Sequence, residues 1–187
     1  MGAAKFQAKH NGGAAMIGSV IFCSLDSFKN HLKPSIGTIA ISILAQDEWE
    51  SAKRLPVGFA GHIKLCFDDV YEEMFNQPQS LTEFTQLNKV EYPDLHANHE
   101  EGVRLFHKKY ELCDLNDAKK IVKFLQHYSS KPEQFELVVH CYAGISRSSA
   151  VAQFVADRFG SPIVGQNQET SFANKRLLRL LNKAINE

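Results

Sequence analysis

The stretch that most narrows what this chain can fold into is Leu137-Val138-Val139-His140-Cys141-Tyr142-Ala143-Gly144-Ile145-Ser146-Arg147-Ser148. An apolar run ends in a histidine and a cysteine. A short loop with a central glycine follows, and an arginine opens a helical pattern over Ser149-Ala150-Val151-Ala152-Gln153-Phe154-Val155. A buried strand must therefore turn tightly into a helix. Such a loop, closed on itself, aims its backbone N–H groups at one point, and the helix N-terminus adds partial positive charge there. Arg147 offers a planar fork to two oxygens of one anion. A cation at a helix start opposes the macrodipole unless an anion sits beside it. Gly144 supplies the positive φ or close backbone approach that a tight loop needs. Cys141 at the bottom reads as a nucleophile, and the N–H groups of Tyr142, Ala143, Gly144, Ile145, Ser146 and Arg147 read as its anion cradle.

At 187 residues, 44% hydrophobic and 22% charged, the chain suits one soluble globular domain. Its formal net charge of zero supplies no general attraction to nucleic acid or to an anionic membrane. No apolar run approaches the roughly 20 residues that cross a bilayer, and the start carries no pattern of a secretory signal. The four cysteines, Cys23, Cys66, Cys113 and Cys141, form no C-x-x-C pair. That spacing argues against zinc and against a disulfide framework, and a reduced, cytoplasmic setting is expected.

Residues 1–15 lack periodicity and are expected to be a disordered tail or an expression scar ahead of Met16; residues 16–187 form the single domain. Strands are expected over Ile17–Cys23, Ile36–Leu44, His62–Phe67 and Phe135–Val139. Ser24 or Asp26 caps a short helix carrying Leu25, Phe28 and Leu32, which Pro34 stops. Asp47–Leu55 reads as another short helix. Ser80-Leu81-Thr82-Glu83 is a capping box before Phe84 and Leu87. Residues 91–102 read as an exposed loop, and Val103–Tyr110 fits helix or strand. Asn116 is expected to cap a helix with Ala118, Ile121, Val122, Leu125 and Tyr128 on one stripe. The helix opened by Arg147 should reach about Arg158, with Gly160 near its end. Ser171 is expected to cap a last helix bearing Leu177, Leu178, Leu181 and Ile185. Strands alternating with helices predict an α/β fold: a mainly parallel central sheet of about four to five strands flanked by helices. Such sheets place ligands at the carboxyl ends of their strands, so Cys141 and the pair Asp68–Asp69 are expected at one edge.

The run His140-Cys141-x-x-Gly144-x-x-Arg147-Ser148 resembles the H-C-x-x-G-x-x-R-S/T signature of the cysteine-dependent protein tyrosine phosphatases. The small size resembles the dual-specificity and bacterial tyrosine-phosphatase-like branches. The likeness is tightest over residues 135–158. The stretch Phe67-Asp68-Asp69-Val70 also resembles a segment of bacterial members in which an aspartate after a strand is the general acid. The compact members carry that acid closer to the cysteine, so the likeness implies an insertion around residues 73–113.

The resemblance implies a phosphatase-like fold with the phosphate-binding loop between a strand and a helix, and a phosphocysteine on Cys141. It implies that Arg147 clamps the phosphoryl oxygens, that Ser148 assists the sulfur as it leaves, and that His140 shapes the loop by bonding nearby backbone. It makes Asp69 the general acid, with Asp68 the alternative and Asp114 and Asp117 more distant rivals. Cys23, Cys66 and Cys113 read as core residues, Trp49 as a packing residue, and Lys175, Arg176 and Arg179 as a wet helix face. His96-x-x-His99, with Asp94, Glu100 and Glu101, reads as a solvated loop; no metal and no cofactor is required.

The expected activity is hydrolysis of phosphate monoesters, protein phosphotyrosine first and phosphoserine or phosphothreonine besides. The partner is then a phosphorylated protein or a small phosphate monoester, with neither nucleic acid nor membrane. Two alternatives stay open: a catalytically weak phosphate-recognising regulatory module, and a phosphatase of an inositol phosphate, nucleotide or RNA 5′ end. The loop contains no lysine, which disfavours a highly charged inositide. A rhodanese-type sulfur carrier usually spaces its cysteine and arginine differently.

Overall fold

Two apolar runs build the centre of the molecule. The strand Thr38–Leu44 (β2) is buried at every position, and Phe135–Cys141 (β4) at every position but Glu136. Near-continuous burial is what a parallel strand needs when both faces of its sheet are covered. With Ile17–Ser24 (β1) and Gly61–Cys66 (β3) they form one four-stranded sheet in the order β1-β4-β2-β3, every neighbouring pair parallel. The computed structural model describes residues 17–52, 54–70 and 111–187.

The helices are Leu25–Asn30 (α1), Glu48–Ser51 (α2), Leu115–Ser129 (α3), Arg147–Phe159 (α4) and Lys175–Ala184 (α5). One sheet face presents Ile39, Ile41, Leu137 and Val139 to the apolar stripes of α3, α4 and α5, including Leu125, Phe154 and Leu181. The other face is narrower. There Phe28 of α1 packs on Ala40 and Val138, and Leu25 packs with Leu44 and Ala52 beside Trp49. The Tyr128 hydroxyl of α3 donates to Ala60 O at 2.8 Å and ties that helix to the entry of β3.

The chain is thus α/β with an all-parallel sheet flanked by helices, and several boundaries differ from expectation. β2 begins at Thr38, not Ile36, because Ser35–Gly37 forms a turn: Thr38 N–H donates to Ser35 O at 3.1 Å, and Ile36 is 89% exposed. α2 is a single turn, since Arg54-Leu55 leads into Pro56, before which helical backbone is disfavoured. Asp114, not Asn116, caps α3. It forms a capping box with Asp117, whose N–H holds the Asp114 carboxyl below the usual carboxylate range. Asn174, not Ser171, caps α5, its Oδ1 accepting from Leu177 N–H at 3.0 Å. α4 closes on Gly160 at φ +70°, the left-handed terminator expected there. The 1–15 tail, the Ser80 capping box, the 91–102 loop, Val103–Tyr110 and the 73–113 segment up to Tyr110 lie outside the described residues. No helix among the described residues is long and apolar enough to cross a membrane.

Phe28 is fully buried, with its ring 5.5 Å from Phe59 and 4.1 Å from His140. Phe28→Ala should cost roughly 3–5 kcal/mol in urea unfolding; a loss under about 1 kcal/mol would contradict this packing.

Candidate active site

All four strands point their carboxyl ends to one edge, and the residues that follow them meet there. Ser24 follows β1 beside Cys141, their partners in register. Glu48 follows β2, Phe67–Val70 follow β3, and the loop 142–146 follows β4. Ligands of open parallel sheets bind at this edge.

The loop is held from outside by its carbonyls. Tyr142 O accepts from Leu25 N–H at 3.1 Å, and Gly144 O from Asn167 Nδ2 at 2.9 Å. Ile145 O accepts from the Ser149 hydroxyl, and Ser146 O from Ser149 Oγ at 3.0 Å and Asn174 N–H at 3.1 Å. No peptide bond here is cis. A trans peptide sends its N–H opposite to its C=O. The N–H groups of Ala143, Ile145, Ser146 and Arg147 therefore point away from the donors that hold these carbonyls. Gly144 takes φ +74°, and a Cβ there would lie 2.3 Å from Ser24 N. The position requires glycine both for its dihedral and for its approach to β1.

Cys141 lies at the bottom, 1% exposed. Its Sγ accepts from Gly144 N–H at 3.2 Å and lies 3.3 Å from Ser148 Oγ. The other cysteines are differently placed. Burial pushes the Cys23 thiol up to about 12, Cys66 to about 11 and Cys113 to about 12. Cys66 and Cys113 spend their S–H groups as donors, to Gln46 Oε1 and Asp114 O.

Arg147 is 3% exposed, not facing solvent, and its partner is a residue that sequence reasoning missed. Its Nη2 donates to both carboxylate oxygens of Glu48 at 2.9 Å, and Nη1 donates to Phe67 O at 3.0 Å. Glu48 Oε2 also accepts Ala45 N–H at 2.7 Å, which fixes the carboxylate. Burial works against the guanidinium charge, but the hydrogen bonds it donates to Glu48 and the charges of Glu48, Cys141 and Asp69 outweigh it and raise its pKa. Nε is buried with no hydrogen-bond partner among the described residues, in ion-pair range of Asp69 Oδ2 at 3.9 Å. By sequence, Glu48 is one more acid in a helix's first turn, and only the sheet order brings it to Arg147.

Asp69 reaches the loop as expected. Its Oδ1 accepts from Ser146 Oγ at 2.6 Å and from Asn174 Nδ2 at 2.9 Å, leaving Oδ2 toward Arg147. The Ser146 hydroxyl is thereby diverted, and α4 starts without a side-chain cap. Asp68 turns the other way. Its N–H donates to Glu111 O at 2.7 Å, and its Oδ2 accepts Glu111 N–H at 2.6 Å. Partial burial raises the Asp68 pKa, against the lowering pull of Glu111 N–H and Arg147. The distant rivals Asp114 and Asp117 are occupied as a helix cap.

His140 interacts with the Cys141 backbone and also reaches across the sheet. Its Nε2 lies 2.6 Å from Ser42 Oγ, which lies 2.7 Å from His62 Nε2, so the contact crosses the strands. Nδ1 has no partner among the described residues. Burial pushes His140 down to about 4, opposed by the Cys141 backbone and aided by His62 and Arg147. Burial likewise pushes His62 to about 4, aided by Lys64.

A cleft of about 490 Å³ runs beside the cradle, between α1 and Gln166-Asn167, and shares Ala143 and Gly144 with it. Among the described residues, no Asp, Glu, Lys or Arg lines it. Trp49 packs against the Leu44 cluster, as expected, with Lys64 Nζ 5.9 Å from its ring. Lys175, Arg176 and Arg179 all have partners within the molecule, and Arg176 Nε donates to Cys113 O at 3.0 Å. His96 and His99 lie outside the described residues, among which no three metal-ligating side chains gather.

The arrangement can hold a tetrahedral oxyanion against a cysteine sulfur, with a carboxyl group alongside. No protein-family model, curated protein or solved structure matches the chain.

Glu48→Ala leaves Arg147 buried and unpaired, which should cost roughly 3–5 kcal/mol in urea unfolding. Between about pH 4 and 6.5, His62 and His140 bind fewer protons folded than unfolded. Their contribution is present above the unfolded value and is lost as pH falls toward the folded one. The urea midpoint should drop from pH 7 to pH 5, and His62→Gln should shrink that drop; an unchanged drop would exclude this histidine as a source.

Proposed function

We propose that the chain hydrolyses phosphate monoesters, protein phosphotyrosine first, through a phosphocysteine on Cys141. The observation that carries this reading is that a buried Cys141, whose Sγ accepts Gly144 N–H and lies 3.3 Å from Ser148 Oγ, shares its strand–loop–helix turn with a buried Arg147 whose Nε has no hydrogen-bond partner among the described residues. An unpaired donor on a buried guanidinium is costly and calls for an acceptor. A phosphoryl group supplies oxygens to it and to the loop amides together.

Phosphoryl transfer has a loose transition state with charge on the equatorial and leaving oxygens, so positioning and electrostatic stabilisation dominate catalysis. Sγ attacks phosphorus as the bond to the ester oxygen breaks. Asp69 Oδ2 gives a proton to that oxygen, and the alcohol or phenol departs. The phosphoryl group then sits on sulfur. Water attacks the phosphorus, Asp69 takes its proton, and the P–S bond breaks. The Ser148 hydroxyl, 3.3 Å from Sγ, stabilises the departing thiolate, and inorganic phosphate leaves.

A protein substrate suits the charge around the site. Asp47, Glu48, Asp68, Asp69 and Glu111 follow β2 and β3 or face them, and the loop contributes no lysine. A polyanionic inositide would meet like charge there. One observation favours a second reading of the acid: partial burial raises the Asp68 pKa, which keeps that carboxyl protonated to higher pH than an ordinary one.

The protein should hydrolyse p-nitrophenyl phosphate without added metal, and Cys141→Ser should abolish turnover. No activity on any aryl phosphate would overturn the reading. Asp69→Ala should lower kcat for phenyl phosphate, a poor leaving group, by about 10²-fold or more, and for p-nitrophenyl phosphate far less. That pattern in Asp68→Ala instead would move the acid by one residue.

A further inference from the structure

Asn174 joins three parts of the site at once. It is 3% exposed. Its Nδ2 donates to Asp69 Oδ1 at 2.9 Å and to Val70 O at 3.1 Å. Its own N–H donates to Ser146 O at 3.1 Å, at the entry of α4. Its Oδ1 caps α5 through Leu177 N–H. An amide side chain has two donor hydrogens and one acceptor oxygen, and Asn174 commits all of them. A cap alone would need only the oxygen, which Ser, Thr or Asp supply equally.

The geometry around Asp69 gives the second half of the argument. Ser146 Oγ and Asn174 Nδ2 both fall on Oδ1. A carboxylate pinned through one oxygen cannot rotate freely, and its other oxygen is presented in one direction. Here Oδ2 is the free oxygen, and it faces Arg147 Nε. Proton transfer requires hydrogen-bond reach in a defined direction. The carboxylate left after transfer also gains from donors already in place.

We infer that Asn174 is a positioning residue for proton transfer: from the cap of α5 it clamps the Asp69 segment to the cradle and turns Oδ2 toward the leaving oxygen. The inference rests on the phosphatase reading with Asp69 as the acid. It adds the C-terminal helix, which touches no reacting atom, to the working parts of the site.

The test separates clamp from cap. Asn174→Ser keeps a capping oxygen and removes the Nδ2 donor; Asn174→Asp keeps the cap, removes the donor and adds a like charge. The urea midpoint of Asn174→Ser should fall modestly, since Val70 O loses its donor, and that of Asn174→Asp further, since a charge is added beside Asp69; the kinetic split between substrates separates clamp from cap. For both, kcat on phenyl phosphate should fall about tenfold or more, with a much smaller change on p-nitrophenyl phosphate. In an Asp69→Ala background, Asn174→Ser should have no further effect on phenyl phosphate, the non-additivity of groups acting through one another. Equal losses on both substrates, or fully additive losses, would reduce Asn174 to a structural cap and overturn the inference. Failure of the parent protein on every aryl phosphate would instead remove the phosphatase reading beneath it.

Discussion

The site depends on a buried cation. Arg147 lies almost wholly out of water, where an unpaired charge is very costly. Glu48 supplies the counter-charge from the end of β2, and Phe67 O supplies a further acceptor from the end of β3. The guanidinium is therefore the point where three strand ends are fastened together. Two of its nitrogens do the fastening. The third, Nε, lies 3.9 Å from Asp69 Oδ2. A buried ion pair is weak evidence for net stability, but it defines geometry strictly, since displacing either partner strands the other.

Around that point, polar side chains do work that the loop cannot do alone. The carbonyls of residues 142 and 144–146 are held by Leu25, Asn167, Ser149 and Asn174, which come from three separate stretches of chain. With the carbonyls anchored, the amides opposite them are fixed in direction before any ligand arrives. Preorganisation of this kind removes the reorganisation that water would need around a developing charge. Ser146 is the clearest compromise. Its hydroxyl leaves the N-terminus of α4 uncapped and spends itself on Asp69. The helix loses a stabilising cap, and the site gains a link between cradle and acid.

How much of this was legible in the sequence follows from the range of each interaction. The strand–loop–helix frame around Cys141 was legible because its causes are local: β-branched residues, a glycine with one permitted conformation, and a helical stripe after Arg147. Burial of β2 and β4 was legible from their apolar runs, and parallel pairing from the alternation of strands with helices. The approach of Asp69 to the loop followed from the rule that parallel strands end at one edge. The partners Glu48 and Asn174 were not legible. One looks like any acid in a helical first turn, and the other like any cap. Their roles come from strand order and from where α5 docks, which no local pattern encodes. The reach of His140 to Ser42 was not legible for the same reason: it crosses from β4 to β2. The boundary errors at Ile36, Asn116 and Ser171 arose where two neighbouring residues offered similar turn or cap chemistry, and a single hydrogen bond decided between them.

The strand order carries one last consequence, for the way the molecule is made. β4 enters the sheet between β1 and β2, yet it is the last strand in the chain. Until it emerges from the ribosome, β1 has no strand to pair with among the described residues, and β2 can pair only with β3. Native pairing across such sequence distances is slow, because loop closure must precede the contacts that reward it. The insertion that completes the sheet also delivers Cys141, and Arg147 follows within two turns of backbone. The cradle is completed later still, when Ser149, Asn167 and Asn174 arrive to hold the loop carbonyls. Until β4 inserts, the edges of β1 and β2 that it will fill stay open to other strands, a window in which a nascent chain is exposed to mispairing.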